Sequence, residues 1–306
     1  MDEFSIIAKY FAPLAGQGAF GLGDDAAVLP LWSGRDLVVT TDAVAQDTDF
    51  FAADPPDTVA QKALRVNLSD LAAKGAAPAY YLLNLTMPRD VTGEWLSGFA
   101  AGLKRDQGAF GISLLGGDTN AGPLSIAITA FGFVRKGRII RRAGAKVGDH
   151  VYVTGIIGES GGGLAGWRGE GAHLSPADRD GLIARYRVPQ PPVDFGAGGL
   201  RDAAHAAADV SDGLIADLGH IAKASQVAIV VDGARVPLSA AVKALWGDAA
   251  LLRAVSAGDD YQIAFTGPAA LQGPFTAIGH VEKGAGVRLM CDGREVPVEN
   301  PGFRHF

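Results

Sequence analysis

The stretch "NLSDLAAKGAAP", residues 67–78, predicts a helix with a polar position on an apolar face. Asn67 and Asp70 are three residues apart, so they share one face of this helix. Leucines flank that face on both sides, and the Gly-Ala-Ala-Pro segment that follows ends the helix. We therefore expect Asp70 to lie off the freely solvated surface, where an ionised carboxylate requires a partner.

Predicted strands and helices alternate along the chain before and after this helix. Before it, the sequence predicts a first helix, "FSIIAKYFAPL", that stops near Pro13, and a buried strand over 36–44 that ends in Asp42. After it come a strand "AYYLLNLTMP", a helix "TGEWLSGFAAGLKRDQGA", a strand in "ISLLGGDT" that runs into a Gly-Gly-Asp turn, and a strand "PLSIAITAFGFV". Residues 135–149 are basic and poor in apolar side chains, which is typical of an inter-domain passage.

The second half repeats the alternation. The predicted elements are a strand "HVYVTG", helices to about residue 207, the segment "ADVSDGLIADLGHIAKAS", a strand "VAIVVDG", two helices to about 256, and strands "YQIAFTG", "FTAIGHV" and "GVRLMC". Alternating strands and helices predict the α/β (α+β) class with two tandem α/β domains. We place their boundaries at residues 1–136 and 137–306.

Composition excludes several classes of protein. A net charge of -6 and the absence of a dense Lys/Arg run argue against a nucleic-acid partner. The single cysteine, Cys291, excludes an internal disulfide framework, and the six histidines lack the spacings of common zinc sites. The acidic N-terminus is unlike a signal peptide. A membrane span needs an apolar run of about 18 residues, and the sequence has no run of that length. We expect a cytoplasmic protein.

Aspartates recur where elements end, most of them in segments that also contain glycine. They are Asp24 and Asp25 in "GLGDDAAV", Asp42 in "TTDA", Asp118 in "GGDT", Asp209 and Asp212 in "DVSDGL", and Asp259 and Asp260 in "AGDDYQI". Each position taken singly also fits a turn or a helix cap. Together they favour a site for Mg²⁺, because clustered carboxylates without cations repel one another and Mg²⁺ combines with carboxylates and phosphates.

No Gly-Lys dipeptide occurs, so the P-loop motif is absent. A phosphoryl transferase without a P-loop lysine needs metal ions to offset the charge of the triphosphate, and metals suffice because such transfer depends on positioning and electrostatics. A competing motif is "GESGG" at 158–162, which fits G-x-S-x-G with Ser160 as nucleophile and Asp209 and His280 following in order.

The segments "GDDAAV", "TTDA", "NLSDLAAKGAAP", "GGDT", "DVSDGL" and "GDDYQI", in this order, resemble the thiamine-monophosphate kinase family. Its superfamily also holds aminoimidazole ribonucleotide synthetase, selenophosphate synthetase and a hydrogenase maturation factor. The resemblance covers essentially the whole chain. It implies ATP-dependent phosphorylation of thiamine monophosphate by direct in-line transfer, several Mg²⁺ ions, ATP as co-substrate and no catalytic side chain. It also implies a homodimer whose N-terminal strands form a shared barrel.

The resemblance implies roles residue by residue. The implied metal ligands are Asp25, Thr40, Thr41, Asp42, Asp70, Asp118, Asp209 and Asp212. The implied ATP contacts are Gly117, Asp118, Arg142 and Ser211. The implied substrate contacts are Asp49, Asp259 and Phe303.

Two of these positions depart from the family pattern. Asp49 stands where a histidine is usual, and Asp259 stands where a glutamate is usual. Two alternatives within the superfamily therefore stay open: a synthetase that activates another acceptor with ATP, and a relative that binds nucleotide without turnover.

Overall fold

The computed structural model describes residues 3–22, 26–29 and 31–303, so Asp24 and Asp25 lie outside the described residues. The chain divides into two compact units. The first comprises Met1–Leu71 and Ala76–Arg138, and the second comprises Ala72–Gly75 and Ile139–Phe306. Across the described ranges, no helix is both long and apolar enough to cross a membrane.

The first unit contains the helices α1, α2 and α3 and four long strands. They are α1 (Glu3–Ile6), β1 (Arg35–Ala45), α2 (Pro56–Ala73, whose last two residues belong to the second unit), β2 (Ala77–Met87), α3 (Gly93–Phe110), β3 (Ser113–Ala121) and β4 (Ser125–Arg135). Thr92 caps α3 by accepting a hydrogen bond from the Trp95 amide, and Gly111 ends the helix in the left-handed conformation. A polar residue at the start and a glycine just past the end are common helix boundaries.

The chain before β1 differs from the single helix that we predicted. Only Glu3–Ile6 is α-helical, Ile7–Phe11 widens into a π-helical turn, and Ala12–Leu14 tightens into a 3₁₀ turn. Pro13 lies at the start of the 3₁₀ turn, where its missing amide hydrogen costs no hydrogen bond. The apolar side chains of Tyr10, Phe11 and Leu14 are buried, so packing decides the local geometry.

The four strands form one sheet in the order β1-β4-β2-β3, with β1 and β3 at the edges. Strands β1 and β4 pair antiparallel over eleven residue pairs, and β2 and β3 pair parallel. Along Ser125–Ala130 of β4, buried residues alternate with partly buried ones, so one face of the sheet is covered and the other is more open. The covered face includes Ile126 and Ile128, both fully buried.

The second unit is larger and mixed. Its elements are β5 (His150–Thr154), α4 (Glu159–Trp167), α5 (Pro176–Arg187), α6 (Val193–Ala197), α7 (Leu200–Ala203), β6 (Ala206–Asp209), α8 (Leu214–Ser225), β7 (Ala228–Asp232), α9 (Ala240–Trp246), α10 (Ala250–Ser256), β8 (Ile263–Gly267), β9 (Phe275–Glu282), β10 (Gly286–Cys291) and β11 (Arg294–Val296). The seven strands form one sheet in the order β11-β10-β7-β9-β5-β8-β6.

Two apolar clusters hold this second sheet. One includes α8 and the strands β5 and β7, with Leu214, Leu218 and Ile221 all fully buried. The other contains an aromatic group in which Tyr152 stacks on Phe265 with ring centroids 5.1 Å apart. Helix α8 is therefore anchored in the core. This anchoring fixes the position of its first turn, which follows "DVSDG".

The structure corrects two predicted element ends. We expected Asp42 to end a strand and Asp118 to follow one, but β1 continues to Ala45 and β3 continues to Ala121. Both strands continue because their neighbours in the sheet supply partners for the additional residues. The strand predicted from Tyr261 begins only at Ile263. Asp209 ends β6 and Asp212 precedes α8, as predicted.

Candidate active site

A first group of predicted metal ligands meets where strand β1 passes the end of helix α2. The Thr40 hydroxyl donates a hydrogen bond to the Asp70 carboxylate, and the Asp42 amide donates to the Asn67 side-chain oxygen at 3.1 Å. Asn67 in turn donates to the Ala63 carbonyl oxygen at 3.0 Å, which orients its own oxygen toward β1. The 67/70 pair on one helix face thus reaches alternate residues of one strand.

The carboxylates of this group repel one another. Loss of solvation, together with the negative charges of Asp70 and Asp49, raises the pKa of Asp42 from 3.8 to about 6. The Asp42 side chain keeps access to solvent at the sheet edge. An oxygen-rich cluster that disfavours its own negative charge fits a divalent cation with hard ligands.

Asp49 lies in the turn that follows β1. Its carboxylate accepts a hydrogen bond from the Ala45 amide at 2.8 Å, and its backbone oxygen accepts one from the buried Lys62 ammonium at 2.7 Å. The side chain therefore shapes the turn and still contributes to the potential at Asp42. The substrate contact that the family resemblance implies for Asp49 stays a prediction.

Asp118 belongs to a different part of the sheet. The register pairs Asp42 with Ile128, Ile128 with Leu83, and Leu83 with Gly117. Asp118 is one residue further along β3, so it projects to the opposite, exposed face. Three strand spacings of about 4.8 Å also separate β1 from β3, roughly 14 Å along the sheet. Within one chain, the structure does not bring Asp118 together with Asp42 and Asp70.

A cavity of about 450 Å³ lies beside Asp118. Apolar side chains from the first turns and the sheet line much of it, including Phe11, Leu82 and Phe131. Gly116, Gly117 and Asp118 contribute a polar edge, and the Asn120 amide donates a hydrogen bond to the Asp118 carboxylate. An apolar pocket of this size with a few polar groups at its edge is suited to a small planar ligand.

Gly117 is required by its own backbone. Its φ of 154° lies in the region that favours glycine, and a Cβ there would lie 1.7 Å from the Leu83 carbonyl oxygen. The close approach of β2 and β3 beside the cavity therefore depends on the absence of a side chain. Gly117 and Asp118, predicted as ATP contacts, both line this cavity.

In the second unit, three segments converge on the loop that precedes α8. The Tyr261 amide donates to the Val210 oxygen at 2.8 Å, and the Asp259 amide donates to the Ser211 oxygen at 2.8 Å. The Phe303 amide donates to the Asp212 oxygen at 2.9 Å. Residues 210–213, 257–261 and 301–303 therefore form one surface, which we call the α8 loop site.

The α8 loop site brings together residues that we predicted for different roles. Ser211 and Asp212 were predicted as nucleotide and metal contacts, and Asp259 and Phe303 as substrate contacts. Phe303 is 55% exposed although its backbone is anchored, so its ring is available to stack on a planar ligand. A Cβ at Gly258 would lie 2.6 Å from the Ser211 oxygen, so the two loops pack closely only with glycine there.

Asp217, in the first turns of α8, was missed by the sequence reasoning. It is fully buried, and its Oδ2 accepts hydrogen bonds from the amides of Ser211, Asp212 and Gly213, each at 3.1 Å. Burial raises the pKa of Asp217 to about 7, although these amides oppose the shift. The signal in the sequence was a carboxylate four residues after a glycine that has no capping side chain of its own.

Arg142 and His220 lie near the same loop. The positive charge of Arg142 acts on Asp217 and on His220, and burial together with Arg142 lowers the pKa of His220. Ligand atoms of Asp212, Asp217 and His220 lie within 4.8 Å of one another. The spacing of histidines in the sequence could not indicate this possible metal-binding group, because only one of its three members is a histidine. Asp209 is buried at the end of β6, three residues before Asp212.

The geometry contradicts the reading of Ser160 as a nucleophile. Ser160 is buried in the first turn of α4, and its hydroxyl donates to the Arg185 carbonyl oxygen at 3.3 Å. The Ser160 and Gly158 amides donate to Asp260, so this aspartate serves as a cap for the helix. His280 is half-exposed on β9, where its ring lies 3.7 Å from Glu282. The serine-triad alternative, which the three glycines after Ser160 already disfavour in the sequence, is therefore contradicted.

Comparisons with known proteins identify the two halves of the chain. The family model for the AIR synthase related protein N-terminal domain matches residues 23–134, and the model for the C-terminal domain matches residues 146–292. The thiamine-monophosphate kinase of Escherichia coli K12 is 40% identical over 322 aligned positions, which cover 99% of this chain and 98% of that protein.

Solved structures agree with the sequence relatives. A thiamine-monophosphate kinase from Stenotrophomonas maltophilia K279a superposes with a TM-score of 0.86 at 38% identity, covering 97% of this chain and 98% of that chain. AaThiL complexed with AMPPCP and TMP superposes with a TM-score of 0.82 at 32% identity, covering 94% of this chain and 97% of that chain. The expected fold of two tandem domains is thereby confirmed.

Proposed function

Because the chain belongs to the thiamine-monophosphate kinase family, we propose that it transfers the γ-phosphoryl group of ATP to thiamine monophosphate. The products are thiamine diphosphate and ADP. Membership of this family makes the chain an enzyme of the phosphotransferase class. A similar protein was solved with an ATP analogue and TMP together, which supports the pairing of these two substrates.

The observation that carries the proposal is the carboxylate group at the edge of β1. Asp42 and Asp70 lie close enough to disfavour each other's charge, and Thr40 adds a hydroxyl oxygen. All of these donors are hard oxygens, which fits Mg²⁺. Asp209 and Asp212 in the second unit are proposed as further Mg²⁺ ligands. Bound there, Mg²⁺ supplies the positive charge that offsets the phosphates of both substrates.

The reaction needs no general base from the protein. The phosphate of thiamine monophosphate is already an anionic nucleophile at neutral pH, and one of its oxygens bonds to the γ-phosphorus as the bond to the ADP oxygen breaks. What the side chains must do is position the two anions in line. Arg142 contributes a permanent positive charge beside the α8 loop site, and Ser211 contributes a hydroxyl for a nucleotide phosphate.

The cavity beside Gly117 and Asp118 is the proposed pocket for the adenine of ATP. Its apolar walls suit a planar base, and the polar edge at Asp118 suits the ribose and phosphate side. Asp25 and Thr41 remain proposed ligands from the resemblance, and Thr41 accepts a hydrogen bond from Thr129 at 3.1 Å on the exposed sheet face.

The acceptor would bind at the α8 loop site. The exposed Phe303 ring is suited to stack on the thiamine rings, and Asp259, held at a φ of 68°, presents a carboxylate toward a cationic ring. Asp49, in the first unit, acts on the potential at Asp42. Its replacement of the usual histidine is the position at which acceptor choice is most open to change.

A homodimer accounts for the exposed sheet face. This face carries Val39, which is 52% exposed, together with Thr41, Ala43 and Asn84. The uncharged side chains of these four residues suit pairing with a second copy of the chain. Pairing through this face to form a shared barrel is the proposed assembly, and it would cover Asp118 and the cavity mouth.

The test is formation of thiamine diphosphate from the purified protein with ATP, Mg²⁺ and thiamine monophosphate, with free thiamine as a parallel acceptor. Product from the monophosphate alone supports the proposed function. ATP binding by calorimetry without any turnover favours the non-catalytic alternative. ADP release with a different acceptor favours a synthetase, for which the same carboxylates would serve.

A further inference from the structure

The carboxylate of Asp217 is placed unusually for a helix of this kind. A helix is ordinarily capped by the residue just before it, but that residue is Gly213, which has no side chain. Asp217 instead reaches back from within α8 and accepts three consecutive amide hydrogens on one oxygen. It therefore organises the loop that precedes the helix.

This arrangement is costly as a purely structural device. Asp217 is fully buried, and its second oxygen, Oδ1, has no hydrogen-bond partner among the described residues. Placing an ionisable group in such surroundings is unfavourable. A serine or asparagine before the helix would cap it without burying a carboxylate, as Ser175 and Ser239 do for α5 and α9.

The loop that Asp217 holds also makes backbone hydrogen bonds to two other segments of the α8 loop site. The amides of Ser211 and Asp212 point inward to Asp217, while their carbonyl oxygens accept the amides of Asp259 and Phe303. The side chains of Ser211 and Asp212 remain partly accessible to solvent. One buried carboxylate thus determines the position of a metal ligand and of the two segments that carry the acceptor contacts.

We propose that Asp217 is a positioning residue of the phosphoryl transfer, which aligns Asp212 for its metal ion and holds the docking surface for the acceptor segments. It touches neither substrate, and it acts through the backbone of residues 211–213. This inference rests on the proposed function, in which Asp212 is a metal ligand.

The experiment compares Asp217→Ala and Asp217→Asn with the unaltered chain. The Mg²⁺ concentration that gives half-maximal thiamine diphosphate formation is measured at saturating ATP, together with kcat and the KM for thiamine monophosphate. For Asp217→Ala we expect the half-saturating Mg²⁺ to rise about tenfold or more, as for other residues that orient metal ligands. Asp217→Asn keeps an acceptor oxygen, so its half-saturating Mg²⁺ concentration should lie between those of the unaltered chain and Asp217→Ala.

Asp149→Asn is the matched control. Asp149 is also a buried carboxylate in the second unit, accepting the Lys146 amide at 2.9 Å and contacting the His205 ring at 3.0 Å. Its substitution should lower thermal stability and leave the half-saturating Mg²⁺ unchanged. If Asp217→Ala does not fold, Asp217→Asn is used to test the positioning role. In that variant, amide hydrogen exchange of residues 211–213 is expected to accelerate.

Asp212→Asn tests the metal role of Asp212 separately from the positioning role of Asp217. A raised Mg²⁺ requirement in Asp212→Asn and in the Asp217 variants supports the proposal. A raised requirement in Asp212→Asn alone, with only a lower Tm for the Asp217 variants, overturns the positioning role and leaves the proposed function standing. An unchanged requirement in Asp212→Asn overturns the metal role of Asp212 and the positioning role with it.

Discussion

Asp42→Asn should make the metal-free protein more stable while removing activity. The pKa of Asp42 is raised from 3.8 to about 6 by lost solvation and by Asp70 and Asp49. At pH 8 the carboxylate is ionised in both the folded and the unfolded chain, so the folded state carries the unfavourable interaction. A shift of this size corresponds to roughly 3 kcal/mol, which solvent screening at this exposed position reduces to about 1 kcal/mol.

The sign of this effect depends on pH. Because the folded-state pKa is raised, the native state binds the proton more tightly, and the associated stability is present below pH 4 and lost as the pH rises through 6. Asp42→Asn removes this loss. At pH 8 without Mg²⁺ the Tm of the variant should therefore exceed that of the unaltered chain by about 3 °C, and at pH 4 the difference should vanish.

The assay is thermal unfolding at pH 8 with and without Mg²⁺, followed by thiamine diphosphate formation on the same samples. The unaltered chain should gain stability on adding Mg²⁺ and ATP, because the ligands bind only the folded state. Asp42→Asn should lose most of this gain, and its turnover should fall severely with partial recovery at high Mg²⁺.

Asp36→Asn is the control on the same strand and the same face. Asp36 accepts the Gly137 amide at 2.6 Å, and it lies six residues before Asp42. Its substitution should lower the Tm slightly and leave the response to Mg²⁺ intact. A lower metal-free Tm for Asp42→Asn at pH 8, or an unchanged response to Mg²⁺, refutes the reasoning about this carboxylate group.

Four further substitutions test other parts of the site. Gly117→Ala places a Cβ against the Leu83 oxygen and should lower the free energy of unfolding by about 2 kcal/mol or more, measured by urea unfolding, with weaker ATP binding by calorimetry. Phe303→Ala, at an exposed side chain, should change the Tm little and raise the KM for thiamine monophosphate in steady-state assays; an unchanged KM argues against stacking. Burial raises the pKa of Asp260 to about 8, so stability should fall as the pH rises toward 8, and Asp260→Asn should flatten that decline in Tm scans from pH 6 to 9. Ser160→Ala should leave turnover unchanged, since its hydroxyl bonds only to a backbone oxygen among the contacts described for it.

Short motifs in the sequence picked out the candidate residues of the site, whereas their grouping in space was not predictable. Spacing on a helix is local, so the shared face of Asn67 and Asp70 followed from the sequence. The strand ends were harder, because β1 and β3 extend as far as their neighbours offer hydrogen bonds. Asp42 and Asp118 therefore lie within strands, although we expected the strands to end at these aspartates.

The sequence by itself determined the class of fold, the tandem order of the two domains and the chemical character of the site, because periodicity, glycine turns and clustered carboxylates are local properties of the chain. Only the tertiary structure decided that Asp42 joins Asp70 while Asp118 faces the other side of the sheet, since strand order and register set these distances. It alone placed Asp217 beneath the amides of residues 211–213, because a buried carboxylate finds its donors only when the loop folds back over the helix.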